Sequence, residues 1–157
     1  MDLARRRRPT VTIGGVNYLA HAWLARHSDD AILGAILGDF VFGQSGLQDW
    51  PPAVRAEIVR HRRIDLYTDA HPAVVVARGL FDDAGLRRYA GIVLDVHFDH
   101  CLARHWPRWN DAPPADFTAR VHRVLDEPRD DLPSLLPPIA PRMAAAHWLG
   151  PFVQRRQ

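Results

Sequence analysis

A histidine and two aspartates recur at intervals of one helical turn near the middle of the chain. His61, Asp65 and Asp69 are separated by four residues each, so a helix would align them along one stripe. Ile58 lies on the same side, and the stripe is therefore not simply a solvated face. A histidine and a carboxylate one turn apart can hold a metal ion or act as an acid–base pair. A surface ladder of ion pairs with Arg62 is the alternative explanation.

A second group of ionisable residues lies among apolar neighbours further along the chain. Asp95 and Asp99 are again four residues apart, with His97 and His100 close by. Burying such groups without partners is expensive, so a metal ion or a tight hydrogen-bond network is the natural compensation. A helix with one acidic, solvated face is the alternative. On a helix, His97 points away from the two aspartates, and we expect it to lie outside their cluster.

Two more polar residues interrupt apolar helical segments. Asp39 ends an otherwise apolar run, where a carboxylate opposes the helix dipole. His21 lies between apolar residues, and a lone histidine in such a position is more often a packed core residue than a ligand. If these helices converge, their histidines and aspartates would favour Mn²⁺, Fe²⁺, Mg²⁺ or Zn²⁺ over a structural zinc site.

Other catalytic arrangements have little support in the sequence. Cys101 and His105 are four residues apart, but Cys101 lies in an apolar run, where packing explains it better. The sequence contains no GxSxG nucleophile motif, no P-loop and no dinucleotide-binding GxGxxG. A metal-dependent reaction is therefore the chemistry that the residues favour.

Helix-period patterns recur along the chain, whereas alternating strand patterns are nearly absent. The sequence therefore predicts an all-α fold, a single-domain helical bundle, in which Ser28 caps the second helix. We predict helices at residues 17–26, 29–40, 52–69, 72–81, 86–106, 114–127 and 143–149. We predict loops at 43–51 and in the proline-rich stretch 128–141, and a flexible basic extension at 1–15 before a helical domain at 16–157.

The composition is that of an ordinary soluble protein. No apolar run approaches the roughly 20 residues that cross a bilayer, and the single cysteine, Cys101, suits a reducing compartment, so we expect a cytoplasmic protein. All 20 basic residues are arginine, a bias that makes an individual arginine weak evidence for phosphate binding. The run from Arg5 to Arg8 has no interleaved aromatics and the net charge is only +2, so we expect no nucleic-acid partner.

Five short blocks, taken in order, resemble the acyl-carrier-protein phosphodiesterase family. Their order and separations match together, which makes the resemblance specific over most of the chain from residue 16 to 149. The blocks are Asn17-Tyr18-Leu19-Ala20-His21, Gly38-Asp39-Phe40-Val41, His61-Arg62-Arg63-Ile64-Asp65 with Thr68-Asp69, Leu94-Asp95, and Asp99-His100-Cys101-Leu102-Ala103-Arg104-His105-Trp106.

The resemblance implies a helical fold related to the HD-type phosphohydrolases and a divalent metal ion, typically Mn²⁺. It also implies that 4′-phosphopantetheine is hydrolysed from a serine of holo acyl carrier protein, giving the apo protein. By motif position, the expected metal ligands are His21, Asp39, His61 and Asp99. The expected catalytic or supporting residues are Asp65, Asp69, Asp95 and His100, with Arg62 or Arg63 on the phosphate. Arginines expected to attract an acidic carrier protein are Arg60, Arg62, Arg87, Arg88, Arg104 and Arg108.

The chain departs from the family pattern in three places. Members usually begin at the block that starts with Asn17, so we expect Val16 to be the natural start of translation. Members also continue for further helices beyond Leu149, and a shortened chain could bind the carrier protein less well or be inactive. His97 stands where we expect an apolar or aromatic residue. Two other functions stay open: an HD-like phosphohydrolase acting on a nucleotide, and a catalytically inactive helical binding module.

Overall fold

The computed structural model describes residues 17–81 and 84–130, and within these ranges the chain is all-α with no strand. This confirms the predicted fold class. The helices are α1 (Tyr18–Leu24), α2 (Asp29–Leu37), α3 (Gly43–Gln48), α4 (Pro52–Asp69), α5 (Pro72–Gly79), α6 (Ala84–Arg87), α7 (Ala90–Arg104) and α8 (Pro114–Asp126), with a 3₁₀ turn at Trp106–Arg108. In the part of the chain so described, no helix is both long enough and apolar enough to cross a membrane.

Helix α2 forms the centre of the core. Its residues from Ala31 to Leu37 are all buried, and α1, α4 and α8 pack around it. Ser28 caps its first turn as predicted, because the Oγ atom accepts a hydrogen bond from the Ala31 amide at 3.1 Å. The main apolar contacts that α8 adds to this core are Phe117, Val121, Val124 and Leu125.

Helix α4 has the bounds that the sequence predicted. Pro52 occupies its first turn, where the missing amide costs no hydrogen bond, and the helix runs for 18 residues. Pro72 opens α5 in the same way, and Nδ1 of His71 accepts from the Ala73 amide at 3.2 Å. These two helices carry one wall of the site described below.

Two sequence predictions about secondary structure were wrong. Residues 43–51 are not simply a loop, because α3 forms there and buries Leu47 and Trp50 against the core. Gly43 begins that helix with φ at 73°, a value that favours glycine.

Residues 86–106 are likewise not one helix. The chain turns between α6 and α7, where the amide of Tyr89 donates to the carbonyl of Leu86 at 2.8 Å. The helix-period pattern of residues 86–106 did not reveal this break. The predictions for residues 1–15, for most of 128–141 and for a helix at 143–149 concern residues outside the described ranges.

Candidate metal centre and its charged cleft

His61 lies where α2 and α4 cross, and two glycines allow the helices to approach closely there. Gly34 and Gly38 are four residues apart and share one face of the α2 segment. A Cβ atom at Gly34 would lie 2.4 Å from the carbonyl oxygen of Val54, and one at Gly38 would lie 2.2 Å from Cγ of His61. The imidazole of His61 therefore packs on the backbone at the end of α2, with its side chain only 1% exposed.

The backbone fixes one ring nitrogen of His61. Nδ1 lies 2.7 Å from the carbonyl oxygen of Ala35, and since a carbonyl only accepts, Nδ1 carries a proton and donates it. Nε2 faces two carboxylates, at 3.1 Å from Asp65 Oδ2 and 3.3 Å from Asp39 Oδ1. A histidine whose Nδ1–H is held by a carbonyl has its Nε2 oriented for metal binding or proton transfer.

His21 reaches the same position from α1. Its Nε2 lies 2.9 Å from Oδ1 of Asp65, so the two oxygens of that carboxylate face the two imidazoles. The rings of His21 and His61 are stacked, with centroids 3.8 Å apart. Ligand atoms of His21, His61 and Asp65 all lie within 4.8 Å of one another. We call these three residues, together with Asp39, the histidine–aspartate cluster.

Asp99 fixes the start of α1 rather than joining this cluster. Its carboxylate is buried, and it accepts hydrogen bonds from the backbone amides of Leu19 and Ala20, both at 2.9 Å. Asn17, the residue at the N-cap position, makes no capping hydrogen bond with its side chain. Helix α7 thus supplies the cap of α1 from about 80 residues away, and the capped turn immediately precedes His21.

Charges within the cluster support one another. Burial alone would lower the pKa of His61, but the hydrogen bonds and charges of Asp39 and Asp65 outweigh it and raise this pKa to about 9. Burial would raise the pKa of Asp65, yet hydrogen bonds from His21 and His61 hold it well below its usual range. A strong concentration of negative charge therefore surrounds Nε2 of His61, the kind of position where a proton and a metal ion compete.

One buried polar atom in the cluster fits a metal ion better than a closed hydrogen-bond network. Oδ2 of Asp39 is buried and has no hydrogen-bond partner among the described residues. Such an atom is costly to leave unpaired. Imidazole nitrogens and carboxylate oxygens, without thiolate, suit Mn²⁺, Fe²⁺, Zn²⁺ or Mg²⁺. His21, His61 and Asp65 could hold such an ion, with Asp39 beside them.

A cleft of about 740 Å³ opens beside the cluster and carries both signs of charge. Its acidic residues are Asp65, Asp69 and Asp95, and its basic residues are Arg78, Arg87 and Arg88. Nη2 of Arg78 lies 3.4 Å from Oδ1 of Asp69. Burial and the neighbouring charges of Asp65 and Asp69 raise the pKa of Asp95 to about 6. The cleft can therefore accept an anion on its basic side and exchange a proton near neutral pH on its acidic side.

Most of the predicted site residues meet at the cluster and its cleft. These are His21, Asp39, His61, Asp65, Asp69 and Asp95. The other predicted residues lie elsewhere. Asp99 holds the α1 amides, His100 is exposed on α7, and Arg63 is exposed on α4. Arg62 donates from Nη2 to the carbonyl of Val41. Neither Arg62 nor Arg63 is among the described residues that line the cleft.

Sequence reasoning missed Arg78. It is the one charged residue of α5, in the otherwise apolar segment PAVVVARG, and that isolation was the available signal. Its guanidinium packs over Gly91 of α7, where an added Cβ would lie 2.7 Å from Nη2. Nothing in the spacing of either helix predicted that contact.

Comparison with known proteins gives a consistent result. The family model described as acyl carrier protein phosphodiesterase matches residues 16–157. A protein of that name from Yersinia pestis is 47% identical over 91 residues, which make up 58% of this chain and 46% of that protein. One from Escherichia coli O45:K1 is 40% identical over 128 residues, or 81% of this chain and 62% of that protein. One from Salmonella dublin is 40% identical over 135 residues, or 85% of this chain and 69% of that protein.

The chain therefore spans about half the length of the Yersinia relative and roughly two thirds of the other two. No solved structure gives a significant match.

Proposed function

Since this chain belongs to the acyl carrier protein phosphodiesterase family, we propose that it is a metal-dependent phosphodiesterase acting on holo acyl carrier protein. The reaction would release 4′-phosphopantetheine by hydrolysis and leave the apo carrier protein. One observation carries the proposal: the ligand atoms of His21, His61 and Asp65 lie within 4.8 Å of one another beside a cleft that contains three arginines.

The proposed ligands are His21, His61 and Asp65, with Asp39 as a fourth. A divalent ion, Mn²⁺ as the first choice, would supply Lewis-acid stabilisation of the phosphoryl group and make water more acidic. His61 is the best oriented ligand, because the Ala35 carbonyl holds the proton on Nδ1 and leaves Nε2 toward the site. The Gly38 contact and the buried position of His21 keep both imidazoles in place.

Arginines of the cleft would bind and orient the phosphodiester. Arg78 is the strongest candidate, since it lies over Gly91 and only 3.4 Å from Asp69, which fixes the direction of its guanidinium. A guanidinium can donate two parallel hydrogen bonds to phosphate oxygens. Arg87 and Arg88 are exposed at the same cleft and would attract the acidic surface of a carrier protein.

Asp95 is the proposed proton carrier. A carboxyl group whose pKa is about 6 can take up and give back a proton at neutral pH, which an ordinary aspartate does poorly. It lines the cleft with Asp65 and Asp69, and we assign Asp69 to holding Arg78. The single cysteine is consistent with action in the reducing cytoplasm, where we propose that the protein works.

Mass spectrometry of holo acyl carrier protein tests this proposal. After incubation with the full chain and Mn²⁺, the carrier protein should lose the mass of phosphopantetheine, and a chelator should prevent the loss. Asp65→Asn should abolish turnover, because it removes a charged oxygen between the two histidines. The matched control is Asp111→Asn, a change of the same kind at an exposed position.

Three results would contradict parts of the proposal. Release of phosphate from a nucleotide without loss from the carrier protein would favour the nucleotide phosphohydrolase. A chain that folds by circular dichroism but retains no metal after Mn²⁺ soaking and dialysis would favour the inactive binding module. Equal turnover by the Asp65→Asn and Asp111→Asn variants would show that the histidine–aspartate cluster is not the reaction site.

A further inference from the structure

A second recess, of about 370 Å³, adjoins the histidine–aspartate cluster. It shares Asn17 and Thr68 with the charged cleft, and His21 forms part of its wall. On α4, the residues that face it are Ile64, Tyr67 and Thr68, one helical stripe away from Asp65 and Asp69. Thr68 therefore marks the boundary between the two recesses. We call this second recess the apolar groove.

The apolar groove differs from the cleft in its chemistry. None of the described residues that line it is an aspartate, glutamate or arginine. Its wall consists mainly of apolar side chains from α1, α4, α5 and α7, among them Leu24, Ile64, Val74 and Phe98. Tyr67 lines the groove and adds an aromatic ring with a hydroxyl group to its wall. The groove can thus hold an uncharged group with some apolar surface.

We propose that the apolar groove binds the neutral pantetheine arm of the substrate. This inference rests on the proposed function, in which a phosphodiester at the cluster has two substituents that extend away from it. One substituent is the acidic carrier protein, which matches the arginines of the cleft. The other is an arm with a dimethyl group and two amides but no charge beyond the phosphate, which matches the uncharged groove.

Size and connection support the same assignment. The volume lies in the range of about 300 to 1,000 Å³ that is usual for pockets that hold small ligands. His21 contributes to both the cluster and the groove wall, and Asn17 and Thr68 line both recesses, so the groove lies directly beside the cluster. Asn17, Thr68 and His71 supply the few polar groups that an amide-containing arm needs for hydrogen bonds.

Filling the groove tests the inference in the full chain. Ala73 lines the groove and is exposed on α5, so Ala73→Trp adds an indole there without entering the core. The matched control is Ala56→Trp, at an exposed position of α4 that does not line the groove. The two substrates are holo acyl carrier protein and methyl 4-nitrophenyl phosphate, a phosphodiester that has only a methyl group in place of the arm.

The measured quantity is the kcat/KM for the holo carrier protein divided by that for the armless diester. We expect Ala73→Trp to lower this ratio about tenfold or more, and Ala56→Trp to leave it unchanged. A ratio that Ala73→Trp does not alter would overturn the inference, because a groove that held the arm could not accept both the arm and an indole.

A binding experiment separates this inference from the proposed function. Free pantetheine, which carries no phosphate, is added to methyl-labelled protein, and the resonances of Ile64 and Val74 are followed. Shifts at these methyl groups that Ala73→Trp abolishes would support the groove even if the carrier protein is not hydrolysed. If the wild-type chain hydrolyses the carrier protein while millimolar pantetheine shifts neither residue, the groove assignment is wrong and the function stands.

Discussion

Gly38→Ala is the sharpest test of how the fold holds the candidate metal centre. An added Cβ would lie 2.2 Å from Cγ, 2.4 Å from Cδ2 and 2.7 Å from Cβ of His61. Ordinary carbon–carbon contacts begin near 3.5 Å, so the imidazole must move by about 1 Å or the helices must separate. Either movement would lengthen the 2.7 Å bond from Nδ1 to the Ala35 carbonyl and turn Nε2 away from Asp65.

The size of the effect follows from two known costs. Adding a methyl group to a packed core typically costs about 1 to 3 kcal/mol of folding free energy. For a chain of this length, each kcal/mol lowers the unfolding midpoint by about 2 to 4 °C, so the midpoint should fall by roughly 2 to 12 °C. A displacement of about 1 Å in a ligand that holds a reaction centre can reduce turnover by about 100-fold. Turnover should therefore fall by about 100-fold in a protein that still folds, with its unfolding midpoint lowered only by the amount given above.

Three measurements on the same preparation test this reasoning. Far-UV circular dichroism follows the unfolding midpoint, calorimetry measures Mn²⁺ affinity, and mass spectrometry measures conversion of holo to apo carrier protein. The control is Gly46→Ala in α3, where the new Cβ would meet only Val41, at an ordinary 3.8 Å. Gly46→Ala should preserve all three readouts. If Gly38→Ala kept wild-type metal affinity and turnover, His61 would not be held as described.

Three further predictions concern the surroundings of the cluster. Asp99→Ala should destabilise the protein by about 1 to 3 kcal/mol, because the Leu19 and Ala20 amides lose their acceptor. Asp99→Asn should recover part of this loss. If Asp99→Ala instead lost metal binding without losing stability, Asp99 would be a metal ligand. In the presence of a chelator, the free energy of unfolding should fall as the pH rises from about 6.5 through 9. The interactions that raise the pKa of His61 to about 9 stabilise the folded protein only while His61 is protonated. A urea midpoint that stays constant above pH 7.5 would contradict this. Arg78→Gln should raise KM for the carrier protein about tenfold with little change in Mn²⁺ affinity. The exposed Arg63→Gln should leave both the KM and the Mn²⁺ affinity unchanged.

The pH prediction has the same sign for two neighbouring groups, Asp95 and Asp99. Burial is the first cause that raises the pKa of Asp99 to about 7 and that of Asp95 to about 6, so each also favours the folded state at low pH and loses that contribution by neutrality. The lowered pKa of Asp65 acts in the opposite direction and matters only in acid. Above pH 7.5 the change should therefore come from His61.

Periodicity was a reliable guide where one helix carried the whole pattern. His61, Asp65 and Asp69 lie on one stripe of α4, as their spacing required, and run from the buried cluster out to the cleft. Asp39 was noticed because a carboxylate at the end of an apolar helix is locally unfavourable, and it does face His61. In both cases the signal was a polar group in a position that local energetics disfavours.

Contacts between helices could not be predicted in this way. Asp95 and Asp99 share a face of α7, yet one lines the cleft and the other holds backbone amides of α1. Spacing says which side of a helix a residue occupies, but not which neighbour it meets. Arg78 was overlooked for the same reason, because its partner surface at Gly91 belongs to a different helix.

The tightest glycine contact among the described residues and the histidine–aspartate cluster occupy the same helix crossing, and each explains the other. Without a side chain at Gly38, the ring of His61 can lie against the end of α2, where a carbonyl of that helix takes its Nδ1 proton. The same close approach brings Asp39 and Asp65 to one nitrogen, where the two carboxylates would repel each other without a positive charge between them. A proton on Nε2 satisfies that requirement when no metal is bound. A divalent cation would satisfy it more fully, because it could also pair the buried Oδ2 of Asp39, which the proton does not reach.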